Sequence, residues 1–306
     1  MLGVLAGFAV IGAVLLVGYL GGRLGLGSQD VVHALNRVAF FIATPALIFS
    51  VLARADLTIV LSGFMLLAIA CAIACAMLFI VARQLAFRVP LAETTIGVAS
   101  AIYVNSNNIG LPIAVYVLGD ASLIAPLLLM QPLLLGPVIL TVLDLAVEGR
   151  PSFRSIITQP LRNPIILAAF SGLAVAVFGW EVPGVIAAPI DLIGGAAIPI
   201  VLLAFGMSLH GQRPLRAGTG RRQVLAATAI KSVGMPVIAY LLARFALGLP
   251  PEQVFAAVII AALPTGQVVY NYAARYGRGV IVARDVALLS TFAAIPVMLL
   301  AAALLA

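Results

Sequence analysis

Apolar runs long enough to cross a bilayer follow one another along almost the whole chain. Short clusters of Arg, Gly, Pro and acidic residues separate them. A helix needs about 20 such residues to span the hydrocarbon core. Runs near that length fall at about 2–20, 32–52, 57–81, 95–118, 122–147, 164–180, 185–209, 223–247, 254–273 and 281–305. They are apolar on every face rather than at alternate positions, which predicts helices and argues against barrel strands. The pattern predicts an all-α polytopic membrane protein of ten spans. The first run, MLGVLAGFAVIGAVLLVGY, has no basic leader and no clear small-residue cleavage pattern. A retained first span is therefore expected rather than a signal peptide.

Composition sharpens this picture. Of 306 residues, 64% are apolar and 9% charged, with a mean hydropathy of +1.23. A soluble domain is about 45–50% apolar and about 25% charged. That difference excludes an ordinary soluble enzyme, a disordered tail and a nucleic-acid binder. The net charge of +7 comes from sixteen Arg and one Lys against ten acids. No basic run is interleaved with stacking aromatics, so no nucleic-acid partner is expected.

The Arg residues instead mark topology. Arg23, Arg37, Arg83, Arg88, Arg150, Arg154, Arg162, Arg213, Arg216, Arg221, Arg222, Arg275, Arg278 and Arg284 border the odd-numbered connections. The alternate connections hold only Arg54 and Arg244. The positive-inside rule then places the odd connections in the cytoplasm and both termini outside. Cys71 and Cys75 lie one helical turn apart, cannot form an ordinary bridge and have no His nearby, so no metal site is expected.

The polar segment 148–163 divides the spans into residues 1–147 and 164–306, five spans each. With an odd number of spans per half, a duplicated second half must enter the membrane upside down. Two short similarities support duplication. TPALIF at 44–49 aligns with IPIVLL at 198–203, and VYVLGD at 115–120 aligns with AARYGR at 273–278, an offset of 158. Two inverted five-helix repeats are expected.

Two spans are broken at membrane depth. Span 4 carries Asn105, Ser106, Asn107 and Asn108, then Gly110 and Pro112. At the 158 offset, span 9 carries Leu263, Pro264, Thr265 and Gly266, followed by Gln267 and Asn271. Pro removes a backbone donor and Gly lowers helix propensity. Irregular backbone at that depth must be buried in protein or line a cavity. Paired breaks at corresponding positions mark the midplane site of a transporter.

The chemistry expected there is anion recognition. A half-helix N-terminus offers unpaired N–H groups and positive dipole character. The amides of Asn105, Asn107, Asn108, Gln267 and Asn271 add donors and acceptors. The plain alternative is that these amides join neighbouring helices.

Lys231 lies inside span 8, where it could compensate a substrate carboxylate, occupy a cation's place, or snorkel to the surface. Asp144, Asp191 and Asp285 sit near span ends, where solvation or Arg pairing is expected. No acid stands beside the breaks. Coupling to sodium or protons is therefore undetermined, and no other cofactor is expected. Pro45, Pro199, Pro236 and Pro296 read as kinks.

Several segments resemble the auxin efflux carrier family. These are LNRVAFFIATPALIFSVL in span 2, PLRNPIILAAFSGL opening span 6, AAIPIVLLAFGMSLHG in span 7, NSNNIGLP in span 4 and ALPTGQVVYNYAARYG in span 9. The resemblance covers essentially the whole chain. The connection between halves is short, as in bacterial members described as malonate or malate permeases, where plant members carry a long loop.

The resemblance implies broken crossover helices 4 and 9 and an architecture similar to sodium/proton antiporters and bile acid symporters. Spans 1, 2, 6 and 7 would form a scaffold, often dimeric, and spans 3–5 and 8–10 a transport domain moving as an elevator. By position, Asn105 matches the family's substrate-contacting Asn, and Pro112 and Pro264 match its crossover prolines. LPTGQVV departs from the LPQGIVP-like plant pattern, which argues against auxin itself.

The expectation is a secondary transporter of a small organic carboxylate in a bacterial inner membrane. Its substrate-contacting set is Asn105, Asn107, Asn108, Gly110, Pro112, Pro264, Thr265, Gln267 and Asn271. A sodium-coupled symporter of a bile-acid-like amphipathic anion is the alternative. An intramembrane enzyme is disfavoured because His33 and His210 stand alone and no paired intramembrane acids occur. A transporter-derived sensor is disfavoured because no signalling domain is present in this sequence.

Overall fold

A computed structural model describes residues 2–54, 63–147, 149, 163–209, 215 and 220–305. Arg150, Arg154, Arg162, Arg213, Arg216, His210 and nearly all of the 148–163 connection lie outside the described residues. The described residues are helical, with one isolated β-bridge.

In chain order the helices are α1 (Leu2–Arg23), α2 (Gln29–Ala53), α3 (Gly63–Ala86), α4 (Leu91–Ile102), α5 (106–116) and α6 (Ala121–Val147). Then come α7 (Pro164–Phe178), α8 (Gly184–Ser208), α9 (Arg221–Ala246), α10 (Pro251–Ala261), α11 (Val268–Tyr276) and α12 (Val280–Leu305). Seven of them, α1, α2, α3, α6, α8, α9 and α12, are long and apolar enough to cross a membrane. This is a polytopic membrane protein.

Helix ends follow local chemistry. α2 begins before its apolar run because Ser28 caps it, its Oγ accepting from Val31 N at 3.3 Å. α7 stops short of residue 180 because Gly179 takes a left-handed conformation, φ 61°.

Proline sets a recurring local feature. Wide π turns occupy Ala39–Ala43, Ser106–Gly110, Gln131–Leu135 and Ile230–Gly234, each ending two residues before a proline. The prolines are Pro45, Pro112, Pro137 and Pro236. A helical proline lacks a donor and its ring meets the carbonyl four residues back. Widening the preceding turn moves that carbonyl aside. The residue before each proline then donates five residues back, as Met235 N does to Ile230 O.

Two groups of helices pack internally. α8 packs on α1 and α2, and α7 packs on α2, while α3–α6 and α9–α12 form the larger group. Small residues permit close approach in the first group. A Cβ on Gly18 of α1 would stand 2.5 Å from Leu203 O of α8. Without a hydrophobic drive between helices in lipid, such backbone contact supplies van der Waals packing. Bulky residues such as Leu16, Leu66, Leu192 and Phe245 face outward. That distribution suits a hydrocarbon surround.

Candidate functional site

The two expected breaks meet. Between α4 and α5, and between α10 and α11, the chain becomes extended, and Val104 and Thr265 form an antiparallel bridge. Asn105 N donates to Pro264 O at 2.8 Å, and Gly266 N donates to Tyr103 O at 3.1 Å. Each break thus supplies partners that the other lost on leaving the helix, as buried backbone requires. Gly266 leaves little room for a side chain there. A Cβ would come within 3.1 Å of both Tyr103 Cδ1 and Val104 O.

Side chains from neighbouring helices complete the accounting. Val104 N donates to Gln131 Oε1 at 2.5 Å, and Gln131 Nε2 donates to Ser106 Oγ at 2.8 Å. Thr265 N donates to Ser290 Oγ at 3.0 Å, and Thr265 Oγ1 donates to Ser100 O at 2.7 Å. Gln131 and Ser290 were not among the candidates read from the sequence. Gln131 is a lone polar residue deep in an apolar run, Ser290 stands beside Thr291 in another, and the spacing of Gln131 and Ser290 nearly repeats the 158 offset. That spacing was the available signal.

From the meeting point α5 and α11 lead away, with Asn105 and Gln267 at their N-caps. Asn105 Oδ1 accepts from Asn108 N at 3.3 Å, and Asn108 Nδ2 donates to Gln267 Oε1 at 3.4 Å. The π turn before Pro112 carries Asn107 and Asn108. Asn107 Oδ1 is buried without a hydrogen-bond partner among the described residues.

A cavity of about 640 Å³ opens over these residues. Asn105, Asn107, Asn108, Thr265, Gln267 and Asn271 line it. Across from them stand Phe40, Phe41, Thr44, Val201 and Phe205 of α2 and α8, while His33, Arg37 and Arg284 also line it. No carboxylate lines this cavity among the described residues. Arg284 is partly engaged, pairing with buried Asp285 at 2.7 Å.

The remaining sequence candidates sit behind the lining. Gly110 packs on Ile124 and Leu263, Pro112 is buried, and Pro264 contributes its carbonyl to the paired breaks. Lys231 is fully buried and lines neither the cavity nor the surface. Its Nζ donates to Ala261 O at 2.9 Å. Asp144 is also buried and accepts from the hydroxyl of Tyr276 at the end of α11. Asp191 pairs with Arg54 at 2.7 Å.

Apolar helices around a polar cavity are the arrangement of a membrane transport protein. The family model described as "Membrane transport protein" matches residues 7–150 and 140–302, nearly the whole chain. The chain belongs to this family, that of the auxin efflux carriers. It is similar to a protein of Rhizobium meliloti (strain 1021) described as "Putative malonate transporter". The two are 26% identical over 278 residues, covering 85% of this chain and 83% of the relative.

Proposed function

We propose that this protein moves a small organic carboxylate across a bacterial inner membrane by alternating access. The substrate would sit where α5 and α11 begin. The observation that carries this reading is the convergence of two helix N-termini and the five amides of Asn105, Asn107, Asn108, Gln267 and Asn271 on one cavity that no carboxylate lines among the described residues. Helix N-termini favour anions without a fixed countercharge. Asn107 Oδ1 offers an unused acceptor for a hydroxyl or protonated acid group. The relative's name makes malonate the first dicarboxylate to test, and Arg37 and Arg284 suit a second carboxylate.

In this reading the chain crosses the membrane ten times, with α4–α5 and α10–α11 as crossover spans of two inverted five-helix repeats. α1, α2, α7 and α8 form a scaffold, dimeric in the membrane, and the larger group moves against it as an elevator. The cavity opens on the Arg-rich side, which the positive-inside rule makes cytoplasmic, with both termini outside.

The test is ligand-induced thermal stabilisation of purified protein by mono- and dicarboxylates, followed by proteoliposome flux. A dicarboxylate that stabilises the wild type and is transported, with both effects lost in Asn105→Ala, supports the reading. Wild-type affinity in Asn105→Ala for every transported acid removes it. A larger amphipathic anion has one observation in its favour, the Phe40, Phe41 and Phe205 wall opposite the amides. Sodium-dependent uptake of such an anion, with no response to dicarboxylates, would favour that alternative.

A further inference from the structure

Lys231 sits at full burial with no carboxylate paired to it among the described residues. The titratable groups that act on it are the thiols of Cys71 and Cys75 on α3. Its polar contacts are Ala261 O at 2.9 Å and Met235 Sδ at 3.2 Å. An isolated charge in that position is costly, so something must favour it.

Ala261 is the last residue of α10, immediately before the break. The final carbonyls of a helix lack intrahelical donors and carry the negative end of its dipole. In transporters with interrupted helices, such ends and the unwound carbonyls beside them coordinate the coupling cation. The ammonium of Lys231 stands on such a carbonyl, one element away from the anion cavity. The π turn Ile230–Gly234, imposed by Pro236, presents it there.

We propose that Lys231 is a resident cation: its ammonium occupies the place at the end of α10 that a bound monovalent cation would otherwise take, so the protein needs no sodium there. This rests on reading the broken helices as the transport centre. It makes Lys231 a positioning residue that acts through the α10 end rather than by touching substrate. The fixed charge holds the break in shape and offsets an anion bound on the other side of it.

Thermal unfolding of purified protein tests this without any substrate. Melting is compared in sodium, lithium, potassium and choline chloride at equal ionic strength, for wild type, Lys231→Ala and Lys231→Met. The wild type should melt alike in all four salts. Lys231→Ala should melt lower in choline and recover at least half of that loss in one of the small cations. Lys231→Met fills the space with an uncharged stem and should show the loss without the recovery.

A wild type that requires sodium overturns the proposal. So does a Lys231→Ala protein that melts alike in all salts or stays unfolded in each, since no cation then refills the place. The readout separates the two proposals. Cation rescue with no carboxylate binding would leave the cation place standing and remove the anion reading.

Discussion

Asn108 and Gln267 face each other at the heads of two helices, amide to amide at 3.4 Å, although 159 residues separate them in the chain. The contact is long for a hydrogen bond. It places two donor- and acceptor-bearing groups side by side on the cavity wall.

Asn105 holds that arrangement from below, because its Oδ1 caps α5 through Asn108 N. Asn105→Ala should cost about 1 kcal/mol of stability from the lost cap. Carboxylate affinity should fall about tenfold or more, since one lost charge-assisted bond amounts to about 1.5–3 kcal/mol. Thermal unfolding with and without ligand reads both effects. A stability loss with unchanged affinity would show the residue to be a cap only.

Gly266→Ala tests the paired breaks. The added methyl crowds the Val104 backbone and the Tyr103 ring, so the two extended segments must give by a few tenths of an ångström. Expression and membrane insertion should persist, because the change lies far from any span boundary. Flux in proteoliposomes should fall at least tenfold, and flux equal to wild type would mean the segments need not touch.

Pro236→Ala should destabilise the protein, opposite in sign to helix propensity. In a plain helix the replacement would be favourable by about 3 kcal/mol. Here Pro236 imposes the wide turn that aims Lys231 at Ala261 O. Restoring a regular turn removes one residue's excess and rotates Lys231 by about 100°. A melting temperature above that of wild type would refute this coupling.

Among the described residues Arg54–Asp191 and Arg284–Asp285 are the shortest ion pairs, both at 2.7 Å, and the former is exposed. Asp191 also holds the Arg54 guanidinium above its usual pKa, mainly through their hydrogen bond. Both residues belong to the α1, α2, α7 and α8 group, so the pair does not bridge the two groups. Asp191→Asn should leave the melting temperature almost unchanged, as expected of an exposed ion pair. Transport should stay within twofold of wild type, and a larger loss would make the pair part of a gate.

Orientation is tested by fusing alkaline phosphatase or a fluorescent protein to the C-terminus. With the termini outside, the phosphatase fusion is active and the fluorescent fusion dark. The reverse pair would invert the direction in which the cavity opens.

Much of this was legible in the chain because its signals are local. Unbroken apolar length marked the spans, and Asn105–Asn108 with Gly110 and Pro112, and Pro264 with Gly266, marked the breaks. Boundaries were less legible, as Ser28 extends α2 into a polar turn and Gly179 shortens α7. Lys231 shows the limit most clearly. Sequence left it three destinations, and packing removed the surface from them by burying the ammonium against a helix-end carbonyl.

By itself the sequence determined a helical membrane protein and the two places where its helices cannot continue. Those follow from hydrophobic transfer and backbone sterics, which each segment carries alone. Only the tertiary structure decided that Val104 pairs with Thr265, that Gln131 and Ser290 brace the breaks, and that Arg37 and Arg284 share their cavity. A polar group in an apolar helix must find a partner, but its own segment does not specify which one. The fold brings the partner to it.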